Sequence, residues 1–108
     1  MSRQVLVTAA ARRDIEEAAA WWAENRSFPQ AIRWLRQIED RIATLCENAE
    51  RCELAHESFR FSFELRELLF GTGYRPTHRI LFRIDGSIVE ILAVRHTSRI
   101  DLAPDDLD

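Results

Sequence analysis

The stretch Phe63–His96, FELRELLFGTGYRPTHRILFRIDGSIVEILAVRH, constrains the fold more than any other part of the chain. It holds three runs of β-forming residues, at 63–70, 77–84 and 87–96, separated by two turn signals. Gly71–Pro76 is one break. Asp85-Gly86 is the other, and Asp-Gly between two β-rich runs is a tight-hairpin signature. The last run is almost continuously apolar from Ile88 to Val94, which predicts a central strand covered on both faces.

Upstream, residues 3–8 (RQVLVT) form a further strand candidate. Thr8 is placed to N-cap a helix over 9–25, where Ala, Glu and Arg dominate and Ala11, Ile15, Ala18, Ala19 and Trp22 share one stripe. Asp14, Glu16 and Glu17 fall on its solvent side. Ser27 and Pro29 start a second helix predicted to run to about Asn48, with a narrow seam of Ala31, Leu35, Ile38, Ile42 and Leu45. Trp21, Trp22 and Trp34 supply packing bulk to an Ala-rich pair of helices. Residues 49–62 lack periodicity and are expected as a loop, with His56 at the surface. The tail 97–108 is expected as a short turn or a frayed end. The result is a single α+β domain over residues 1–108, β-α-α-β-β-β. A helical hairpin packs on one face of a mainly antiparallel four-stranded sheet.

Period-2 alternation then sorts the strands. His78, Ile80, Phe82 and Ile84 are assigned to the helix side, with Phe63, Leu65, Leu69, Val89, Ile91 and Ala93. The opposite face is assigned Glu64, Arg66, Leu68, Arg79, Arg83, Glu90 and His96. Two readings stay open for that face. It is either a lattice of cross-strand ion pairs, or an anion site in which arginines grip phosphate and a histidine moves protons.

Composition narrows the function classes. With 15 basic and 18 acidic side chains, the net charge is −3, unlike the strongly basic domains that coat nucleic acid. Every basic residue is arginine, so no lysine is available as a general acid or base. No apolar run reaches membrane-spanning length and no leader pattern is present, so the expected location is cytoplasmic. Cys46, Cys52 and His56 fit no standard zinc spacing. Neither a metal nor a cofactor is implied.

The chain resembles the RelE/ParE superfamily of toxins from type II toxin–antitoxin modules, also labelled plasmid stabilisation proteins. The matching segments are TAAARRDIEEAAAWW (Thr8–Trp22), PQAIRWLRQIEDRIATL (Pro29–Leu45), FELREL (Phe63–Leu68), HRILFRID (His78–Asp85) and VEILAVRHTSR (Val89–Arg99). The resemblance covers essentially the whole chain. It implies the fold derived above, a cognate antitoxin as partner, and one of two activities. RelE-like members are ribosome-dependent mRNA endoribonucleases, for which it implies Arg66, Arg79 and His96 as the catalytic set. ParE-like members poison DNA gyrase. The target- or RNA-binding positions it implies are Arg66, Arg79, Arg83, Arg95 and Arg99. Glu64, Thr97 and Ser98 stand where endoribonuclease members favour basic, aromatic or His residues, and no lysine is present. Those departures favour the ParE side, with the mRNA endoribonuclease and a non-toxic module member as alternatives.

Overall fold

The computed structural model describes residues 2–107. Its order is β1 (Gln4–Val7), α1 (Ala9–Asn25), α2 (Phe28–Ala43), β2 (Arg66–Phe70), β3 (His78–Asp85) and β4 (Ile88–His96). The sheet runs β1-β4-β3-β2. Only β1 is parallel to its neighbour, β4; the other pairings are antiparallel. The apolar run of β4 is thus central, as its composition demands. No helix among the described residues is long and apolar enough to cross a membrane.

Both helices start where capping chemistry dictates. Thr8 Oγ1 accepts the Ala11 amide hydrogen at 3.2 Å and donates to the Ile91 carbonyl at 2.8 Å. One hydroxyl therefore caps α1 and ties it to β4. Ser27 Oγ accepts from the Gln30 amide at 3.2 Å, with Pro29 in the first turn of α2. The second helix stops at Ala43, short of the expected Asn48. Thr44 Oγ1 donates back to the Arg41 carbonyl at 2.6 Å. This local bond competes with the helical ladder, and Leu45–Asn48 follows as a separate helical turn. The hairpin faces the sheet through Ala11, Trp34, Ile38 and Ile42, which meet Ile80, Phe82, Val89 and Ile91. Asp85-Gly86 closes the β3–β4 hairpin, with Gly86 at φ +58°, a backbone region that glycine enters without penalty.

Three expectations about faces are corrected. First, Phe63, Leu65 and Leu69 do share one side as alternation gives, but it is the side away from the helices. Leu68 pairs with Ile80 and Arg66 with Phe82, and directly opposed residues share a face. Leu68 and Arg66 therefore lie on the helix side, while Leu69 is exposed and Leu65 packs on the other side. Second, Leu81 pairs with Ala93 but Phe82 pairs with Ile91, so Leu92 is an extra residue in β4. Such a bulge reverses the parity of everything beyond it. Ala93 and Arg95 turn away from the helices, and His96 turns towards them, opposite His78.

Third, the far face of the sheet is not open. Leu81, Leu92 and Ala93 on that face are covered by Ala55, Leu65 and Leu102, with Phe61, Phe63 and Leu107 alongside. The cover comes from a 3-10 turn, His56–Arg60, and from the tail, which ends in another turn, Pro104–Leu107. Leu102 is wholly buried, and burying such a side chain stabilises by about 2 kcal/mol. The tail is thus a structural strap.

Candidate functional site

The far face carries a buried charge cluster. Arg79 on β3 is 6% exposed. Its Nη1 donates to Glu57 Oε2 at 3.0 Å, its Nη2 to Glu57 Oε1, and its Nε to Glu67 Oε1. This bidentate fork is the strong form of a charge-assisted pair. Glu57, fully buried in the His56–Arg60 turn, also accepts the Leu102 amide hydrogen at 2.9 Å. Burial alone would raise the Glu57 pKa, but the Arg79 hydrogen bonds and the Leu102 amide outweigh it and bring it to about 2. The same hydrogen bonds, donated by Arg79 to Glu57, push the Arg79 pKa up. Glu57 and Glu67, rather than Glu64 as the strand pattern implies, neutralise Arg79. Glu64 instead lies 3.7 Å from Arg66.

Around this cluster the other arginines have separate surroundings. Arg95 lies directly across from Arg79 and is buried, with Nη2 3.5 Å from Asp106 Oδ2 on the strap. Its Nε has no partner among the described residues. Arg83 is half-buried, bonded to Glu90 Oε1 at 2.5 Å, and lies 4.9 Å over the Phe63 ring. Arg66 is on the helix side, donating from Nη1 to the Cys52 carbonyl at 2.7 Å. Arg99 is exposed beyond β4. The three positions implied as a catalytic set are not brought together. Arg66 is at the first residue of β2, Arg79 is on the opposite face, and His96 is at the far end of β4.

His96 belongs to a different constellation, between α1 and the ends of β3 and β4. Its ring centroid is 5.3 Å from that of His78, and His78 is 5.3 Å from Trp34. Burial, then the neighbouring His96, lower the His78 pKa to about 4, so this imidazole is neutral at physiological pH. Nearby, Asp14 Oδ2 accepts the Val94 amide hydrogen at 2.9 Å. Asp14 is half-buried rather than on the solvent side. Burial raises its pKa, against that hydrogen bond and the charges of Arg95 and Arg99.

Sequence reasoning missed Glu57, Glu67, Asp14 and His78. Glu67 had a usable signal, since it shares the Arg79 face once β2 is registered correctly. Glu57 had none, because it comes from an aperiodic loop.

Among the described residues, one group could in principle hold a metal: His56, Glu57 and Asp101. His56 Nε2 lies 2.5 Å from Asp101 Oδ1, and Glu57 is already committed to Arg79 and Leu102. The adjoining guanidinium opposes a cation, so these contacts are read as fastening the strap. Cys46 and Cys52 are free thiols and are not part of this group.

Comparison with known proteins gives the following. The family described as ParE toxin of type II toxin–antitoxin system, parDE, matches residues 5–101. A solved structure described as the chromosomal ParDE TA system from P. aeruginosa superposes with a TM-score of 0.70 at 18% identity, over 88% of this chain and 96% of that one. At that identity the likeness concerns the fold. No curated protein matches the sequence.

Proposed function

The chain belongs to the ParE toxin family of type II toxin–antitoxin systems, and we propose that it is a toxin acting by protein–protein contact on DNA gyrase. A cognate antitoxin neutralises it, and both act in the cytoplasm. The observation that carries this reading is the separation of the arginines. A phosphodiester-cleaving site needs its phosphate-binding cations and its proton donor converged on one atom. Here Arg79 and Arg95 are buried against carboxylates, and Arg66 lies on another face. What the surface does offer is contact area: Phe28, Phe59, Tyr74 and Ile100 are each more than two-thirds exposed (69%, 79%, 101% and 83%).

Of the arginines implied by resemblance, we assign target contact to Arg99, with Arg66 and Arg83 at the rim. Arg79 and Arg95 hold the fold. Purified protein should inhibit gyrase supercoiling and trap cleaved DNA, and Arg99→Ala should weaken both. If the wild-type protein does neither, the gyrase target is wrong. Codon-specific mRNA cuts in translating extracts would instead support the endoribonuclease alternative. Harmless overexpression without antitoxin would point to a non-toxic module member.

A further inference from the structure

The His78–His96 constellation opens into a pocket of about 410 Å³, lined by Ala18, Trp21, Trp22, Thr77, His78, His96 and Ser98. That volume falls within the range of small-molecule sites, about 300–1,000 Å³. Its walls are aromatic. Trp21 and Trp22 stand edge to face, centroids 5.5 Å apart at 89°. Trp21 is left 50% exposed, so its indole surface remains available to a ligand.

The polar equipment of the pocket is specific. Each imidazole has its Nδ1 engaged. His78 Nδ1 lies 2.8 Å from Thr77 Oγ1, and His96 Nδ1 lies 2.7 Å from Ser98 Oγ. The Ser98 backbone amide also donates to His96 Nδ1 at 3.1 Å. An amide N–H can only donate, so His96 Nδ1 presents its lone pair there. In the neutral ring the hydrogen is then on Nε2, and His96 offers a donor.

These facts sort the candidate ligands. A metal would need a lone pair on Nε2, with Nδ1–H donating to its second partner, which is the opposite tautomer. An anion would gain nothing from His78, which is uncharged at neutral pH. A plain hydrocarbon would desolvate the His96 donor without replacing its hydrogen bond. A flat ring with an acceptor on its edge meets every requirement.

We propose that this pocket binds a small, uncharged heteroaromatic compound of one or two rings. Its ring nitrogen or carbonyl accepts from His96 Nε2 while its body packs on Trp21 and Trp22. This does not depend on which target the toxin acts upon.

The test is a matched pair of probes, isoquinoline and naphthalene, titrated into the full chain at neutral pH. The two rings have the same shape, and only isoquinoline has an acceptor. Two of the three tryptophans line the pocket, so fluorescence quenching reports occupancy. Amide shifts of Trp22 and Ser98 would locate it. Isoquinoline should bind saturably and about five- to tenfold more tightly than naphthalene, the worth of one net hydrogen bond. His96→Phe should erase that preference, and Trp21→Ala should weaken both rings. Equal affinity for the two rings, no saturable binding of isoquinoline, or a preference that survives His96→Phe would each overturn the assignment.

Discussion

Consider the ion pair between Glu57 and Arg79 under Glu57→Met, Arg79→Met and their combination. Removing one partner strands a buried charge, which in such sites costs roughly 3–5 kcal/mol. Glu67 remains on Arg79 Nε in Glu57→Met, and the Leu102 amide remains on Glu57 in Arg79→Met. Each single variant should therefore lose about 3 kcal/mol, at the lower end of that range. For a domain of this size that lowers Tm by on the order of 10–15 °C. If the two losses added, the double variant would lose about 6 kcal/mol, comparable with the whole stability of a typical domain. It should not lose that much, because two methionines next to Leu65, Leu81 and Leu102 extend an existing apolar cluster, and replacing a whole buried pair by apolar groups is often near neutral. The double variant should lose no more than about 3 kcal/mol, mainly through Glu67 and the Leu102 amide left without partners. Urea unfolding followed by tryptophan fluorescence measures all three. A double variant equal to the sum of the singles to within about 0.5 kcal/mol, or either single costing under about 1 kcal/mol, would refute a coupled buried pair. There is also a pH signature. The folded pKa of Glu57 lies near 2, below its ordinary 4.5. Its contribution is therefore present above pH 4.5 and is lost as pH falls from there towards 2. Glu57→Met should lack that acid limb.

His78 adds a second, higher window. Its folded pKa of about 4 lies below the ordinary 6.5, so the unfolded chain takes up the proton first. Stability is full above 6.5 and falls as pH drops towards 4. Between neutral pH and pH about 5 the loss should be about 1–2 kcal/mol, and His78→Phe should flatten it in a pH series of urea melts. Thr8→Ala removes both a cap and a tie to Ile91, so a loss of about 1–2 kcal/mol is expected in the same assay. Leu102→Ala should cost roughly 2–5 kcal/mol and expose the strap to limited proteolysis after Ile100. A strap that stays protease-resistant in that variant would contradict its role as a cover.

The element order was legible because caps and periodicity agree with the tertiary solution. Thr8 and Ser27 announce both helices, and Asp85-Gly86 announces the hairpin. The charged face was only half legible. Arg79, Arg83 and Glu90 do share it, but what covers it was hidden. Glu57 and Leu102 come from aperiodic segments whose positions depend on the apolar surface of Leu81, Leu92 and Ala93 needing a lid. No local pattern encodes that need. Arg66 and His96 were misplaced for two different reasons. The apolar set Phe63, Leu65 and Leu69 lies on the sheet side away from the helices, so the alternation held for Arg66 but was assigned the wrong way round. An inserted residue, by contrast, shifted the count for His96.

The extra residue at Leu92 acts as a frame marker for β4. Before it, odd-numbered positions look towards the helices; after it, even-numbered ones do. With Leu92 removed and the pairing kept regular, Ala93 would follow Ile91 directly, and Ala93, Val94, Arg95 and His96 would keep Leu81, Ile80, Arg79 and His78 as partners. Deleting this one residue should therefore preserve every later address and cost only the contact that Leu92 makes under the strap. Related sequences should tolerate the loss of this residue better than the loss of any other in β4.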